Sequence, residues 1–341
     1  MTTPPATERR LIEIIRRAVR KASGVRVGIG DDCAVLEPDA GSLLLATTDL
    51  LIEDVHFRRR WATPTDIGWK ALAVNLSDIA AMGGRPRWAL IALACPEAVG
   101  LDEAEAFYAG VRALASEHDV TIVGGDTAAS PRGWIVNITL LGEAVRPPIT
   151  RSTARGGDVI AVTGSLGRSA AGLALLEATP APRGVTAAEA TDVTTAHLRP
   201  RPRTREGQWL AAAGGVTSMI DLSDGLATDL GHLCEESGLG ARVELGRLPV
   251  EATVHAVARA LDREALAWAT GGGEDYELLL TCAPEAFERL AGGLAATIGT
   301  RLSAVGEMTA AADGVRYVDA GGQPIPVRAG FEHFVTGRAR V

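Results

Sequence analysis

The sequence predicts an α+β protein of two domains. Apolar strands and amphipathic helices follow one another along its 341 residues without the strict strand–helix–strand repeat of a doubly wound sheet. A chain of this length suggests two domains, each large enough for its own core. Residues 146–157 interrupt the pattern with two prolines, small polar residues and two glycines. We therefore predict an N-terminal domain over residues 1–148 and a C-terminal domain over residues 149–341.

The N-terminal domain is predicted to open with an amphipathic helix over residues 7–21, where Leu11, Ile14, Ile15 and Val19 recur at helical spacing. Two glycines at 83–84 end the strongest helix of the domain. The other elements are strands over 43–48, 50–57, 88–94, 120–123 and 134–141, and helices over 66–82 and 103–117.

The C-terminal domain begins with a strand over residues 158–163. Residues 179–195 are small, polar and contain proline, which favours a surface excursion. The other elements are helices over 169–177, 208–213 and 224–237, and strands over 218–221, 241–245, 276–282 and 301–306.

Composition is that of a globular protein and limits the choice of partners. Hydrophobic residues make up 47% of the chain, and the net charge is -8, so nothing favours nucleic acid or an anionic membrane. The four cysteines form no C-x-x-C pair, which argues against a disulfide framework or a thiolate zinc site. No run reaches the ~18 apolar residues that cross a bilayer, and no signal peptide is expected. We expect a reduced, cytoplasmic protein.

The chemistry is indicated by a recurring pattern, in which an apolar segment runs into an aspartate beside glycine, serine or threonine. It occurs at residues 28–32, 47–49, 75–78, 124–127 and 221–225. A single such aspartate is explained by a helix cap or a turn. Five of them at the ends of predicted core elements favour a shared role.

Asp78 is the sharpest case, because the predicted helix around it is almost wholly apolar. A buried carboxylate needs a partner, and either a distant arginine or a metal ion would supply one. If the aspartates converge, their oxygens favour Mg²⁺ or Mn²⁺. Metal ions bridging aspartates to phosphates would also explain how an acidic protein binds a polyphosphate.

Other nucleotide-binding and catalytic motifs are missing. The sequence has no P-loop, no complete dinucleotide fingerprint, no protein-kinase signature and no G-x-S-x-G elbow. The segment 271–277 places three glycines before three acids, which suits either close backbone approach to a ligand or a flexible turn with solvated acids. His56, taken alone, is explained as a half-buried structural histidine.

Seven segments together resemble the thiamine-monophosphate kinase family. In order they are GIGDDCAVL (28–36), TTDLLIEDVHF (47–57), GWKALAVNLSDIAAMGGRP (68–86), VGGDT (123–127), TRS (150–152), DLSDGL (221–226) and GGEDYEL (272–278). The resemblance extends from about Leu11 to Phe334. GIGDD and GGDT alone would indicate only the wider superfamily of aminoimidazole ribonucleotide synthetase.

The resemblance implies a two-domain, aminoimidazole ribonucleotide synthetase-like fold. Its N-terminal mixed-sheet domain would bind ATP and Mg²⁺ and form a homodimer, and its C-terminal α/β sandwich domain would complete the metal and substrate site. The reaction implied is phosphorylation of thiamine monophosphate by ATP, the final step of thiamine diphosphate biosynthesis.

The resemblance also implies the site residues. The metal ligands, for several Mg²⁺ ions, would be Asp32, Thr47, Thr48, Asp49, Asp78, Asp126, Asp221 and Asp224. ATP would contact Tyr108, Gly125, Asp126, Arg151 and Ser223. Thiamine monophosphate would contact His56, Glu274 and Phe331.

The acceptor in such a reaction is a phosphate, which is already anionic near neutral pH, so no dedicated base is expected. We predict direct in-line transfer by positioning and charge neutralisation, with an aspartyl-phosphate as the alternative. Three other functions stay open: an ATP-dependent relative acting on an amide or carboxylate, a catalytically silent Mg-nucleotide-binding regulator, and a metal-dependent phosphohydrolase.

Overall fold

The structure is a computed structural model that describes residues 24–27, 35–144, 146–328 and 330. The helix predicted over residues 7–21 and the aspartate motif at 28–32 lie outside the described residues. The chain divides into two compact units. The first comprises Met1–Ile79 and Gly84–Pro147, and the second comprises Ala80–Gly83 and Pro148–Val341.

The first unit contains a short antiparallel pair and a four-stranded mixed sheet. The pair is β1 (Val25–Val27) with β2 (Val35–Leu36), and the sheet strands are β3 (Leu43–Ile52), β4 (Arg85–Cys95), β5 (Thr121–Ala129) and β6 (Ile135–Ala144). Their order is β3-β6-β4-β5, and only β4 and β5 are parallel. The prediction of two strands around Asp49 is wrong: β3 is continuous, and Asp49 pairs with Ile138 in its middle.

Two helices are described in the first unit, α1 (Pro64–Ala81) and α2 (Leu101–Glu117). Nearly every side chain of α1 is buried, as expected of a helix that is apolar all round. The aspartates at 78 and 126 lie inside α1 and β5, not at element ends as predicted, and in the described residues only the 221–225 motif follows the end of a strand.

The second unit is built on a six-stranded sheet. Its strands are β7 (Val159–Thr163), β8 (Val216–Asp221), β9 (Leu239–Glu244), β10 (Leu278–Cys282), β11 (Leu302–Ala310) and β12 (Val315–Val318). The order is β12-β9-β11-β7-β10-β8, with β12 and β9 parallel and the other pairs antiparallel.

Seven helices are described in the second unit: α3 (Arg168–Glu177), α4 (Ala187–Leu198), α5 (Thr204–Ala213), α6 (Leu226–Ser237), α7 (Ala252–Ala260), α8 (Ala265–Gly271) and α9 (Pro284–Ile298). Alternate residues of the sheet enter two different cores. Ile220 packs in one core with Leu230 of α6, and Met219 packs in the other with Leu290 of α9. Both sheet faces are therefore covered, which makes this unit an α/β sandwich.

Several elements of the second unit were not predicted. Helix α4 lies largely within the segment expected to be a surface excursion. It begins with a capping box, in which the Thr186 hydroxyl accepts from the Glu189 N–H and Glu189 accepts from the Thr186 N–H. Helices α7, α8 and α9 and strand β12 were left unassigned. No helix of the described residues combines the length and the apolar character needed to span a membrane.

Two glycines allow α1 and α2 to pack backbone against backbone. A Cβ at Gly68 would lie 2.0 Å from the Phe107 carbonyl oxygen, and a Cβ at Gly110 would lie 2.0 Å from the Thr65 carbonyl oxygen. We expect Gly68→Ala to lower the free energy of unfolding by about 1–3 kcal/mol through overpacking. Gly231→Ala is the control, because Gly231 lies in α6 with open space around it. An unchanged urea midpoint for Gly68→Ala would contradict the expectation.

Candidate active site

In the first unit, β3 and α1 bring together three of the predicted ligands. Thr47 and Asp49 are two residues apart and so point to the same face of the sheet. The Thr47 hydroxyl donates a short hydrogen bond to the Asp78 carboxylate of α1. We call Thr47, Asp49 and Asp78 the first acid cluster.

The electrostatics of this cluster show that its carboxylates repel one another. Burial raises the pKa of Asp49 to about 7, and the charge of Asp78 adds to the rise. A carboxyl group with such a pKa gains from any cation placed beside it. The apolar surroundings of Asp78 noted in the sequence therefore contain a second acid and a hydroxyl.

Two other predicted ligands of the first unit lie elsewhere. The Thr48 hydroxyl is on the opposite sheet face from Thr47 and Asp49, 3.0 Å from the Thr139 hydroxyl, and accepts from Asn137 Nδ2 at 2.9 Å. Asp126 is exposed on β5, three strand spacings from β3, or about 14 Å across the sheet. The described sheet does not bring either side chain to the Asp49 carboxylate.

His56 lies in the turn after β3, and its ring is oriented by the backbone. Its Nδ1 accepts a hydrogen bond from the Ile52 N–H at 3.0 Å, so the imidazole proton lies on Nε2 in the neutral ring. Lys70 donates to the His56 carbonyl oxygen at 3.2 Å. The preceding Asp54 has a left-handed φ of 65°, a strained conformation that clusters at functional sites.

The two predicted nucleotide contacts of the first unit differ in accessibility. Tyr108 is 2% exposed, with its ring edge-on to Phe107 at 5.2 Å. This is the position of a core residue, and it does not support a nucleotide contact. Gly125 is exposed on β5, and a Cβ there would lie 1.9 Å from the Ile91 carbonyl oxygen. The close approach of β4 and β5 therefore requires this glycine whether or not it contacts ATP.

In the second unit, the end of β8, the loop that follows it and the first turn of α6 together hold a second acid cluster, consisting of Asp221, Asp224 and Asp229. The Asp229 carboxylate accepts from the backbone N–H groups of Asp224 at 3.1 Å and Gly225 at 3.0 Å. Burial raises the pKa of Asp229 to about 8, and the charges of Asp221 and Asp224 add to the rise. Asp229 thus fixes the loop that carries the predicted ligand Asp224.

The glycine-rich segment 271–277 runs alongside this loop. Backbone hydrogen bonds join the Glu274 N–H to the Ser223 carbonyl oxygen and the Tyr276 N–H to the Leu222 carbonyl oxygen. Gly273 makes the approach possible, since a Cβ there would lie 2.6 Å from the Ser223 carbonyl oxygen. The glycines thus bring two backbones together, and Glu274 and Tyr276 take left-handed φ values of 67° and 50°.

The three acids of this segment are anchored individually, which argues against the alternative of solvated acids on a flexible turn. Glu274 Oε2 lies 3.2 Å from Nδ1 of His197. Asp275 accepts from the Gly167 and Ser169 N–H groups at the start of α3.

Glu277 is the third of these acids and forms a two-pronged ion pair with Arg203, with contacts of 2.6 and 2.5 Å. The Thr163 hydroxyl also donates to Glu277, at 2.7 Å. All its described partners belong to the second unit.

Burial raises the pKa of Asp275 to about 7, although its backbone hydrogen bonds act in the opposite direction. An unfolded aspartate has a pKa near about 4, so the folded state binds an extra proton between about pH 4 and 7. This stabilising contribution is complete below about pH 4 and is lost as the pH rises through about 7.

We expect the urea midpoint of Asp275→Asn to fall less than that of the wild type between about pH 5 and 8. Asp262→Asn, which removes an exposed carboxylate, is the control, and equal slopes for Asp275→Asn and the wild type would contradict the prediction.

The remaining predicted residues are placed as follows. Arg151 is exposed in the segment that leads into the second unit, and its carbonyl oxygen accepts from Ser237 Oγ at 2.7 Å. Ser223 is half-buried between the two ligands Asp221 and Asp224. Asp32 and Phe331 lie outside the described residues.

Four residues of the site region were not predicted: His197, Arg203, Asp229 and Asp275. Asp275 was visible as the middle acid of the 271–277 segment. His197 and Arg203 gave no signal, because their partners lie more than 70 residues away in sequence.

The donor chemistry of both clusters fits Mg²⁺, which prefers carboxylate and hydroxyl oxygens. A cation between the carboxylates would remove the repulsion that contributes to the raised pKa values of Asp49 and Asp229. Over the part of the chain that the structure describes, no group of three or more His, Cys, Asp or Glu side chains is arranged to hold a metal ion. The described carboxylates thus suit Mg²⁺ in kind without forming a complete coordination shell.

Comparisons with known proteins assign the class of both units. The family described as AIR synthase related protein, N-terminal domain, matches residues 30–144. Its counterpart, AIR synthase related protein, C-terminal domain, matches residues 155–319. The mixed-sheet unit and the sandwich unit therefore define a protein of the AIR synthase related class.

Similarity over nearly the whole chain narrows this class. Thiamine-monophosphate kinase of Escherichia coli K12 is 40% identical over 322 residues, which cover 92% of this chain and 93% of that protein. The crystal structure of thiamine-monophosphate kinase from Stenotrophomonas maltophilia K279a matches with a TM-score of 0.81 at 37% identity, over 93% of this chain and 98% of that one. AaThiL complexed with AMPPCP and TMP matches with a TM-score of 0.74 at 32% identity, over 96% and 97%. The chain belongs to the thiamine-monophosphate kinase family.

Proposed function

We propose that this chain catalyses the ATP-dependent phosphorylation of thiamine monophosphate to thiamine diphosphate, the final step of thiamine diphosphate biosynthesis. The observation that carries the proposal is the 40% identity to a thiamine-monophosphate kinase over 92% of the chain. The likeness to AaThiL complexed with AMPPCP and TMP supports the same pair of substrates. Acidic side chains of both units are the main groups that we assign to the metal ions and the substrate.

Mg²⁺ ions are part of the proposal, with Thr47, Asp49 and Asp78 as ligands in the first unit. Asp221 and Asp224 are the proposed ligands in the second unit. Bound Mg²⁺ would neutralise the charge of the phosphates. The Thr47 hydroxyl holds the Asp78 carboxylate in one orientation, and Asp229 does the same for the backbone of Asp224.

Thr48, Asp126 and Asp32 stay predicted metal ligands. The predicted ATP contacts that remain are Gly125, Asp126, Arg151 and Ser223. The predicted substrate contact at Phe331 also remains a prediction. Tyr108 is the weakest of the predicted ATP contacts, because its side chain is buried.

His56 and Glu274 are proposed to position thiamine monophosphate. The proton on Nε2 of His56 makes this nitrogen a donor for a phosphate oxygen. The Glu274 carboxylate is an acceptor for the amino group of the pyrimidine or a partner for the thiazolium charge. Asp54 before His56 and Glu274 itself have left-handed backbone, which fixes where the two side chains leave the chain.

No side chain has to remove a proton from the acceptor, because a phosphate oxygen is already anionic near neutral pH. We propose direct in-line transfer, which requires only that acceptor and γ-phosphate be held in line. Inversion of configuration at a chiral γ-phosphate is the expected result. Retention, or a trapped aspartyl-phosphate, would show a covalent intermediate instead.

The reaction is tested by incubating purified protein with ATP, Mg²⁺ and thiamine monophosphate and measuring thiamine diphosphate by liquid chromatography. We expect product only when all three are present. Free phosphate from thiamine monophosphate without ATP would indicate a phosphohydrolase. ATP binding without turnover would indicate a regulator, and ADP formation that needs an amide or carboxylate acceptor would indicate another activity of the class.

A homodimer is also proposed, formed through the open face of the first sheet. On this face β3 exposes alternate residues, including Leu44 at 53% and Leu50 at 49%. Ile135 of β6 is exposed on the same face and pairs with Ile52, two residues from Leu50. Exposed apolar side chains grouped on one sheet face are typical of a surface that another chain covers.

We expect Leu50→Glu to convert a dimer of about 71 kDa, twice the 35.5 kDa of the chain, into a monomer, because it places a charge in the proposed interface. Light scattering coupled to size exclusion measures the mass. Leu266→Glu is the control, since it charges an exposed leucine of the second unit. A monomeric wild type, or a Leu50→Glu dimer, would exclude this interface. The cytoplasmic location stays a prediction for cell fractionation.

A further inference from the structure

Behind Glu274 lies a buried histidine that the proposed reaction does not use. His197 of α4 is 4% exposed, and its Nδ1 lies 3.2 Å from Oε2 of Glu274. The same nitrogen lies 3.0 Å from the Ser169 hydroxyl oxygen. A carboxylate only accepts hydrogen bonds, so a proton on Nδ1 makes His197 a donor to Glu274, and the Ser169 hydroxyl is the other partner of this nitrogen.

The contacts around Glu274 form a closed ring. His197 contacts Ser169, and the Ser169 N–H donates to Asp275 Oδ1 at 3.1 Å. Asp275 is joined to Glu274 by the peptide bond. The ring thus holds Glu274 at its carboxylate through His197 and at its backbone through Asp275. A residue fixed at both ends has few side-chain orientations left.

The backbone of Glu274 shows that its position is imposed by these surroundings. Its φ of 67° lies in the left-handed region, which is unfavourable for a residue other than glycine and persists only where neighbours hold it. Its side chain remains 25% exposed. The carboxylate is therefore held from behind while part of the residue reaches the surface.

The position of His197 depends in turn on close packing of α3 against α4. A Cβ at Gly172 of α3 would lie 2.1 Å from the Val193 carbonyl oxygen and 3.1 Å from the Cβ of His197. The glycine lets the two helices approach until the imidazole reaches Ser169. Helix α4 thus places the His197 imidazole beside Glu274 of the glycine-rich segment.

We propose that His197 is a positioning residue that orients the Glu274 carboxylate for thiamine monophosphate. The inference rests on the proposed function, in which Glu274 contacts that substrate. Holding a glutamate in one rotamer before the substrate arrives removes an entropic loss from binding. His197 thus affects the affinity for the thiamine substrate and leaves ATP binding unchanged.

The first test compares Michaelis constants. We expect His197→Ala to raise KM for thiamine monophosphate up to about tenfold, the change in affinity that corresponds to ordering one long side chain on binding. KM for ATP and kcat should stay within about twofold. His197→Asn should recover most of the affinity, because its Nδ2 donates from near the position of Nδ1, whereas His197→Gln should not.

The second test asks whether His197 acts through Glu274. In a Glu274→Ala background, adding His197→Ala should change KM for thiamine monophosphate less than about twofold, since coupled residues are not additive. Val193→Ala is the stability control: it removes buried volume from α4 one turn before His197, so it should lower the melting temperature with KM unchanged.

The outcomes separate this inference from the proposed function. A wild type that forms no thiamine diphosphate would overturn the proposed function. An active wild type with unchanged KM in His197→Ala would overturn only the role of His197. Equal increases in both Michaelis constants, or full additivity with Glu274→Ala, would also overturn it. If His197→Ala does not fold, KM for thiamine monophosphate is compared between His197→Asn and His197→Gln. A lower KM for the Asn variant supports the positioning role, and equal values overturn it.

Discussion

Asp78→Asn should reduce turnover of thiamine monophosphate by at least about 100-fold while leaving the protein folded. The amide keeps an oxygen that can accept the Thr47 hydrogen bond, so the local packing is preserved. The substitution removes the negative charge with which Asp78 is proposed to bind Mg²⁺. The expected signature is a fall in kcat at saturating ATP and Mg²⁺.

The stability of the same variant provides an independent readout. Without metal, removing the Asp78 charge relieves its repulsion of Asp49, whose pKa it helps to raise. We therefore expect the melting temperature without metal to stay equal or rise. Wild-type protein should gain stability on adding Mg²⁺ with ATP, by the linkage of binding to folding, and Asp78→Asn should gain much less.

The control for Asp78→Asn is Glu105→Gln, which removes an exposed carboxylate from α2. It should match the wild type in turnover and in its response to Mg²⁺. Near-normal turnover of Asp78→Asn would remove Asp78 from the site. Loss of turnover together with a lower melting temperature without metal would assign it a structural role.

Strongly periodic segments of this fold could be predicted from sequence. Helix α1 was expected over residues 66–82 and is found at Pro64–Ala81, because apolar residues surround it and two glycines end it. Asp49 was misleading, since an aspartate inside an apolar run was taken as a strand break. In the fold it lies half-buried in the middle of β3, close to Asp78, which accepts a hydrogen bond from Thr47.

The helices at residues 252–298 were missed for a different reason. Helix α9 contains two internal glycines, Gly292 and Gly293, which weaken helix propensity. Gly292 has open space around it, while Gly293 faces the Trp209 ring, where a Cβ would lie 2.7 Å away. Packing across the unit, which a local pattern does not contain, fixes this helix.

The sequence indicated which types of residue form the site, but not which residues contact one another there. The aspartate pattern pointed to Asp49, Asp78 and Asp224, but not to the residues that hold them. Asp229 fell within a predicted helix as an ordinary polar position, and only the fold places it under Asp224. Partners far apart in sequence meet only when the sheet assembles, and a single sequence carries no record of such pairs.

Arg203→Met should be the most destabilising substitution near the site. The Arg203 guanidinium is largely buried between Glu277 and Glu206. Removing it leaves both carboxylates buried without their cation, which typically lowers the free energy of unfolding by about 3–5 kcal/mol. Urea denaturation at constant pH measures this change.

The same substitution should weaken substrate binding. Glu277 ends the segment that carries Glu274 and also accepts from the Thr163 hydroxyl. A buried Glu277 carboxylate without its cation is drawn toward water, and this movement disturbs the segment. We expect kcat/KM for thiamine monophosphate to fall about tenfold or more at a temperature where the variant is still folded.

A second substitution distinguishes unpaired charge from lost packing. Arg203→Met with Glu277→Gln removes one stranded charge and keeps an acceptor for Thr163, so part of the lost stability should return. We expect a coupling of at least about 1 kcal/mol between the two changes. Arg316→Met, which breaks an exposed pair with Asp313, should cost less than about 1 kcal/mol. If the double variant is no more stable than Arg203→Met, the guanidinium acts through packing, and the ion pair does not hold the segment in place.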